Sequence, residues 1–161
     1  MKILAISYPT AKKAKQEFID KNYPVIAFLD SDTPMPDLFV NTPVDHITLR
    51  VDDCIDGDPM FSGGLFSGGR PLVMFNESHA RIILDFTEKH KDSDTMIVHC
   101  MGGICRSGAV AWFLNNKFNF VGSEDDLFFK TYNNGINPNI HIIEMLRKVD
   151  GSGLTKSNSV L

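Results

Sequence analysis

Thr95 to Gly108 read TMIVHCMGGICRSG, followed by AVAWFLNNKF over Ala109–Phe118. The first four residues are an uninterrupted β-branched and aliphatic run, the signature of a strand buried on both faces. The last ten have the composition of a buried helix. Between strand and helix lies a short loop carrying Cys100, Gly102, Gly103, Cys105 and Arg106. The carboxyl end of a strand feeding a helix is where α/β sheets bind ligands. Gly102 and Gly103 tolerate unusual dihedrals, so the N–H groups of residues 101 to 106 can curl into a ring. Such a nest, backed by the N-terminus of the next helix, cradles a tetrahedral oxyanion. Arg106 can lay its planar fork on two oxygens of that anion. The same positive surroundings favour the thiolate of Cys100, making it a nucleophile.

Working outward, the other segments supply a scaffold for this unit. Lys2–Ser7 (KILAIS), Pro24–Asp30 (PVIAFLD) and His46–Val51 (HITLRV) read as strands. Helical patterns cover Ala11–Lys21, Asn76–Lys91, Glu124–Tyr132 and Asn139–Val149, and Trp112 on the helix after the loop reads as core. Alternating strands and helices imply an α/β domain with a central, mostly parallel sheet flanked by helices. One domain is expected over residues 1–150, with a Ser- and Gly-rich flexible tail over 151–161.

The whole chain narrows the function classes. Its 161 residues suffice for one hydrophobic core. A net charge of −4 provides no basic footprint for nucleic acid or an anionic membrane surface. No apolar run approaches a membrane span, and no signal peptide is evident, so a cytoplasmic setting is expected. Three cysteines, Cys54, Cys100 and Cys105, do not form a secreted disulfide framework. His46, His79, His90 and His141 lack metal-site spacing, and no metal or cofactor is expected.

His99, Cys100, Gly103, Arg106 and Ser107 together resemble the His-Cys-x-x-Gly-x-x-Arg-Ser signature of the protein tyrosine phosphatase superfamily. A signature past mid-chain followed by short helices is similar to the compact, dual-specificity-like branch. The resemblance implies that Cys100 attacks phosphorus to form a cysteinyl-phosphate. It implies that Arg106 and the loop residues Met101, Gly102, Gly103, Ile104 and Cys105 bind phosphate. Ser107 would donate a hydrogen bond to the departing thiolate, and His99 would hold the loop and help depress the thiol pKa from behind. The implied partner is a phosphorylated protein or peptide.

A general acid must hang over the cradle from a second loop. Asp52, Asp53, Asp56 and Asp58 all follow the HITLRV strand. The compact phosphatases resembled place the acid in a Val-x-Asp pattern after such a strand. Val51-Asp52-Asp53 fits, making Asp53 the first choice, then Asp52, then Asp56. An EF-hand reading of this acidic run fails, because Cys54 and Gly63 fall on ligand positions. Asp53 and Cys100 stand 47 positions apart, a long interval for the compact branch. A Gly-rich segment over 57–71, with FSGG at 61–64 and 66–69, fills the excess. It reads as a surface insertion or as a lid that would bring Phe61, Phe66 and Arg70 to the substrate.

The Cys-x4-Cys-Arg-Ser spacing is similar to that of low-molecular-weight tyrosine phosphatases. It implies that Cys105 traps an oxidised Cys100 as a disulfide; the alternative is a small residue packed beneath the loop. Phosphoinositide phosphatases of the superfamily usually carry lysines in the loop. Their absence here favours a monophosphate on protein, phosphotyrosine first, with phosphoserine and phosphothreonine open. Two rival readings share the motif: a catalytically silent phosphoprotein-binding module, and a rhodanese- or arsenate-reductase-like loop-thiol enzyme.

Overall fold

A computed structural model describes residues 1–32, 34–54, 71–118, 133 and 135–151. Outside them lie Asp56 and Asp58, the Gly-rich 57–70 stretch with Phe61, Phe66 and Arg70, the helix expected over 124–132, and the tail beyond Gly151. Four strands form one sheet: β1 (Lys2–Ser7), β2 (Val25–Leu29), β3 (His46–Arg50) and β4 (Thr95–Cys100). Their order is β1-β4-β2-β3, and every pairing is parallel. Four helices are described, α1 (Tyr8–Asp20), α2 (Glu77–Lys89), α3 (Arg106–Phe118) and α4 (Ile140–Asp150). This is the mostly parallel α/β architecture that the alternation of segments implies.

The period-two alternation along β4 sends its side chains to opposite faces of the sheet. Met96, Val98 and Cys100 join a core with residues of α2, α3 and α4, including Ile83, Phe86, Val110, Leu114, Ile142 and Leu146. Ile97 faces the other way, into a second core with Ala11 and Phe18 of α1 and with Phe39. Both cores exclude water from the sheet, and their burial dominates the stability of the scaffold. Trp112 sits only partly buried at the edge of the first core, with the Arg147 guanidinium 5.6 Å from its ring centre. The indole is amphipathic enough to stay at that boundary.

Edge strand β1 is finished by a side chain. Asn133 accepts a hydrogen bond from Ala5 N at 2.7 Å and donates to Ile3 O at 3.0 Å. Its amide thus occupies backbone groups that a neighbouring strand would otherwise pair. The register sets Ser7 beside Cys100, and Val51 N donates to Leu29 O at 3.0 Å. The carboxyl ends of all four strands therefore lie along one edge, and the site is built there.

Candidate active site

The loop from Cys100 to Arg106 is held from outside by its carbonyls. Met101 O accepts from Tyr8 N at 3.3 Å, Ile104 O from Asn137 N at 3.2 Å, and Cys105 O from Asn139 N at 3.2 Å. Within a planar trans peptide, the carbonyl of one residue and the N–H of the next point opposite ways. Turning these three carbonyls outward turns the N–H groups of Gly102, Cys105 and Arg106 inward. Gly103 completes the curl with φ +73°. A Cβ there would lie 2.5 Å from the backbone atoms Ile6 C and Ser7 N, so no other residue fits without moving the loop.

Cys100 is buried, and its Sγ lies 3.2 Å from both Ser107 Oγ and Gly103 N. Each can donate to sulfur, a geometry a thiolate accepts. Arg106 is 3% exposed. Its Nη1 donates to Val51 O at 2.7 Å and to Asp30 Oδ1 at 2.7 Å. Its Nε is buried with no hydrogen-bond partner among the described residues, while Asp53 Oδ2 stands 3.7 Å away. Met101 and Ile104 expose their side chains, while Cys105 is half-buried.

The two adjacent carboxylates after β3 are divided between fold and site. Asp52, buried, accepts from Ser31 Oγ at 2.9 Å, Ser31 N at 3.3 Å and Val73 N at 2.9 Å. Those bonds tie the end of β2 to the chain before α2 and spend the carboxylate on structure. Asp53 is one-third exposed and faces Arg106. Its Oδ1 accepts from Asn139 Nδ2 at 2.9 Å. The same amide nitrogen reaches Cys54 O at 3.2 Å, and Asn139 Oδ1 caps α4 through Ile142 N at 3.3 Å. One asparagine thus joins the segment carrying Asp53, the loop carrying Cys105 and the start of a helix. Burial, and then the Asp53 carboxylate, push the Cys105 thiol pKa up, so this sulfur stays protonated at neutral pH.

His99 departs from the support expected of it. It is fully buried on the face opposite Cys100, with Tyr8 at 5.9 Å edge-on and Phe39 at 6.2 Å. Neither ring nitrogen has a partner among the described residues, and burial lowers its pKa to about 4. A ring kept neutral by burial brings no positive charge toward the thiol; its described contacts behind β4 are packing ones.

Sequence reasoning missed Asp30 as a site residue, and placed Asn139 only at the start of a helix. An acid directly after an apolar strand, at the ligand-binding edge of a parallel sheet, is a readable signal for Asp30. Asn139 carries no comparable signal, because its partner Asp53 is 86 positions away.

The fold is that of the cysteine-dependent protein tyrosine phosphatase superfamily, in its compact dual-specificity-like form. Among solved structures, the human tyrosine phosphatase-like serine/threonine/tyrosine-interacting protein superposes with a TM-score of 0.60 at 16% identity, over 92% of this chain and 91% of its own. Human DUSP28 follows with 0.58 at 16%, covering 93% and 92%. The PTP-2 phosphatase of Cydia pomonella gives 0.56 at 16%, covering 92% and 85%. No family model and no curated protein sequence matches the chain.

Proposed function

We propose that the chain hydrolyses phosphomonoesters, phosphotyrosine on proteins first among them, through a cysteinyl-phosphate intermediate. One observation carries the reading. Cys100 Sγ sits under two donors in a loop with inward N–H groups, and the buried Arg106 of that loop has an Nε with no hydrogen-bond partner among the described residues. A buried donor left unpaired is costly, and a phosphate oxygen meets its need.

In the first step the Cys100 thiolate forms the S–P bond as the P–O bond to the leaving group breaks, and Asp53 protonates the departing oxygen. In the second, water attacks phosphorus and gives its proton to Asp53, while the S–P bond breaks. Ser107 Oγ then donates to the returning thiolate. Arg106 and the loop N–H groups hold the equatorial oxygens throughout. Phosphotyrosine leads because phenolate leaves more readily than the alkoxide of serine or threonine, and because no lysine lines the loop to meet further phosphates.

Cys105 is the proposed resolving cysteine. Peroxide oxidises Cys100 to a sulfenic acid, and the Cys105 sulfur then displaces water to form a disulfide. Its raised pKa makes this step slow at neutral pH and faster as pH rises. Peptide mapping after peroxide treatment across pH reads it; Cys100 driven to sulfinic acid with no disulfide at any pH would rule it out.

A second reading, phosphoprotein binding without turnover, draws on the neighbour described as an interacting protein. Hydrolysis of para-nitrophenyl phosphate by reduced wild type, Cys100→Ser and Asp53→Ala across pH separates the two. The phosphatase reading expects turnover that Cys100→Ser abolishes and Asp53→Ala slows. A silent wild type that still binds phosphate favours the second.

A further inference from the structure

We propose that Asp30 is a positioning residue for Arg106, holding one end of the guanidinium so that its Nε side is left for phosphate. The proposal rests on the reading of the loop as a phosphate cradle. Asp30 is the first residue after β2, and its Oδ1 lies 2.7 Å from Arg106 Nη1. The same Nη1 donates to Val51 O, and Val51 is itself bonded through its N–H to Leu29 O. Both anchors therefore leave adjacent strand ends, one as a carbonyl and one as a carboxylate. A single acceptor would let the planar group pivot about that contact. Two acceptors on Nη1 fix its orientation, and a fixed donor array is what lowers the cost of meeting a developing charge.

The Nε of the guanidinium is left unmet among the described residues. Nε belongs to a side chain only 3% exposed, and no acceptor reaches it among the described residues. Asp53 Oδ2 at 3.7 Å is beyond hydrogen-bond range. A buried donor in this state points to an acceptor that arrives from solution. Asp30 is 30% exposed, so water already screens its charge. Its contribution is the placement of an acceptor more than the supply of a counter-charge. An asparagine would keep an acceptor at the same place and remove a negative charge from beside the incoming dianion.

The test measures kcat and KM for para-nitrophenyl phosphate, and inhibition by inorganic phosphate, in wild type, Asp30→Asn and Asp30→Ala. Each is repeated with Arg106→Lys, and thermal melts accompany every variant. Asp30→Ala is expected to lower kcat/KM by about 10- to 100-fold and to weaken phosphate inhibition. Asp30→Asn should stay within about threefold of wild type, with phosphate inhibition no weaker. With Arg106→Lys, the alanine substitution should change little further, because lysine has no second edge to orient. Wild-type parameters in Asp30→Ala would overturn the proposal. So would an undiminished effect in the Arg106→Lys background, or an asparagine variant as poor as alanine. Turnover by the unaltered chain tests the phosphatase reading, whereas only the ordering of the variants tests Asp30. If the chain is silent, phosphate affinity by calorimetry must follow the same order, and equal affinities would overturn the tether.

Discussion

The segment after β3 and the loop after β4 leave the same edge of the sheet, yet treat their polar groups in opposite ways. After β3, Asp52 takes three hydrogen bonds and Asp53 is held by Asn139. After β4, the buried Nε of Arg106 has no hydrogen-bond partner among the described residues, and three loop carbonyls are bonded from outside the loop. Groups that serve the fold are paired within the chain, because a buried unpaired group costs stability. The Arg106 donor is left open, as the proposed phosphate role requires, and the surrounding structure bears that cost. The contrast separates Asp52 from its neighbour Asp53 more sharply than their positions in the sequence can.

The largest effect expected from disturbing this contrast is in the loop. Arg106→Lys keeps the charge and loses the fork. Turnover of para-nitrophenyl phosphate should fall by about 100- to 1000-fold, the scale for removing a preorganised oxyanion donor. Retention of most activity would mean that the orphaned Nε is not the phosphate donor.

Behind the same loop, the buried His99 likewise has no hydrogen-bond partner among the described residues. Its folded pKa, about 4 through burial, lies below the ordinary histidine value of 6.5. The unfolded chain therefore binds the extra proton first as pH falls. This contribution to stability is fully present above about pH 6.5 and is lost as pH drops toward 4, on the order of 3 kcal/mol. Burial also lowers the His79 pKa, which adds a slope of the same sign. Urea unfolding of the full chain across this window should show a shallower slope in His99→Phe than in wild type. Identical slopes would contradict a buried neutral His99.

The smallest effect belongs to the paired segment. Asp52→Ala leaves Ser31 and Val73 donors without their acceptor and should cost about 1–3 kcal/mol of stability. The kcat of the folded fraction should change far less than in Asp53→Ala. Equal losses of kcat would erase the distinction between the two carboxylates.

These contrasts also explain what was legible beforehand. The strands, the parallel sheet and the helix after the loop follow from local apolar runs and their periods, so residues close in sequence report them. The strand–loop–helix unit was legible for the same reason: Cys100, Gly103, Arg106 and Ser107 stand close together in one short stretch. Asp52 and Asp53 were not separable, because what distinguishes them arrives from Ser31, Val73 and Asn139. His99 was assigned its role by resemblance, whereas its surroundings come from Tyr8 and Phe39 across the sheet. Asp30 escaped notice because a lone acid at a strand end has many uses, and only its contact with Arg106 selects one.

The central claim is that Cys100 takes the phosphoryl group. It is tested most directly by quenching Asp53→Ala in alkaline detergent during turnover of para-nitrophenyl phosphate, which spares the acid-labile S–P bond, and weighing the Cys100 peptide. Para-nitrophenolate leaves without protonation, so the S–P bond still forms, while the hydrolysis that needs the carboxylate base slows. The account predicts a phosphoryl group on Cys100 that accumulates in Asp53→Ala and is absent from Cys100→Ser. Steady turnover by wild type with no phosphorylated Cys100 in either protein, or equal turnover by Cys100→Ser, would contradict it.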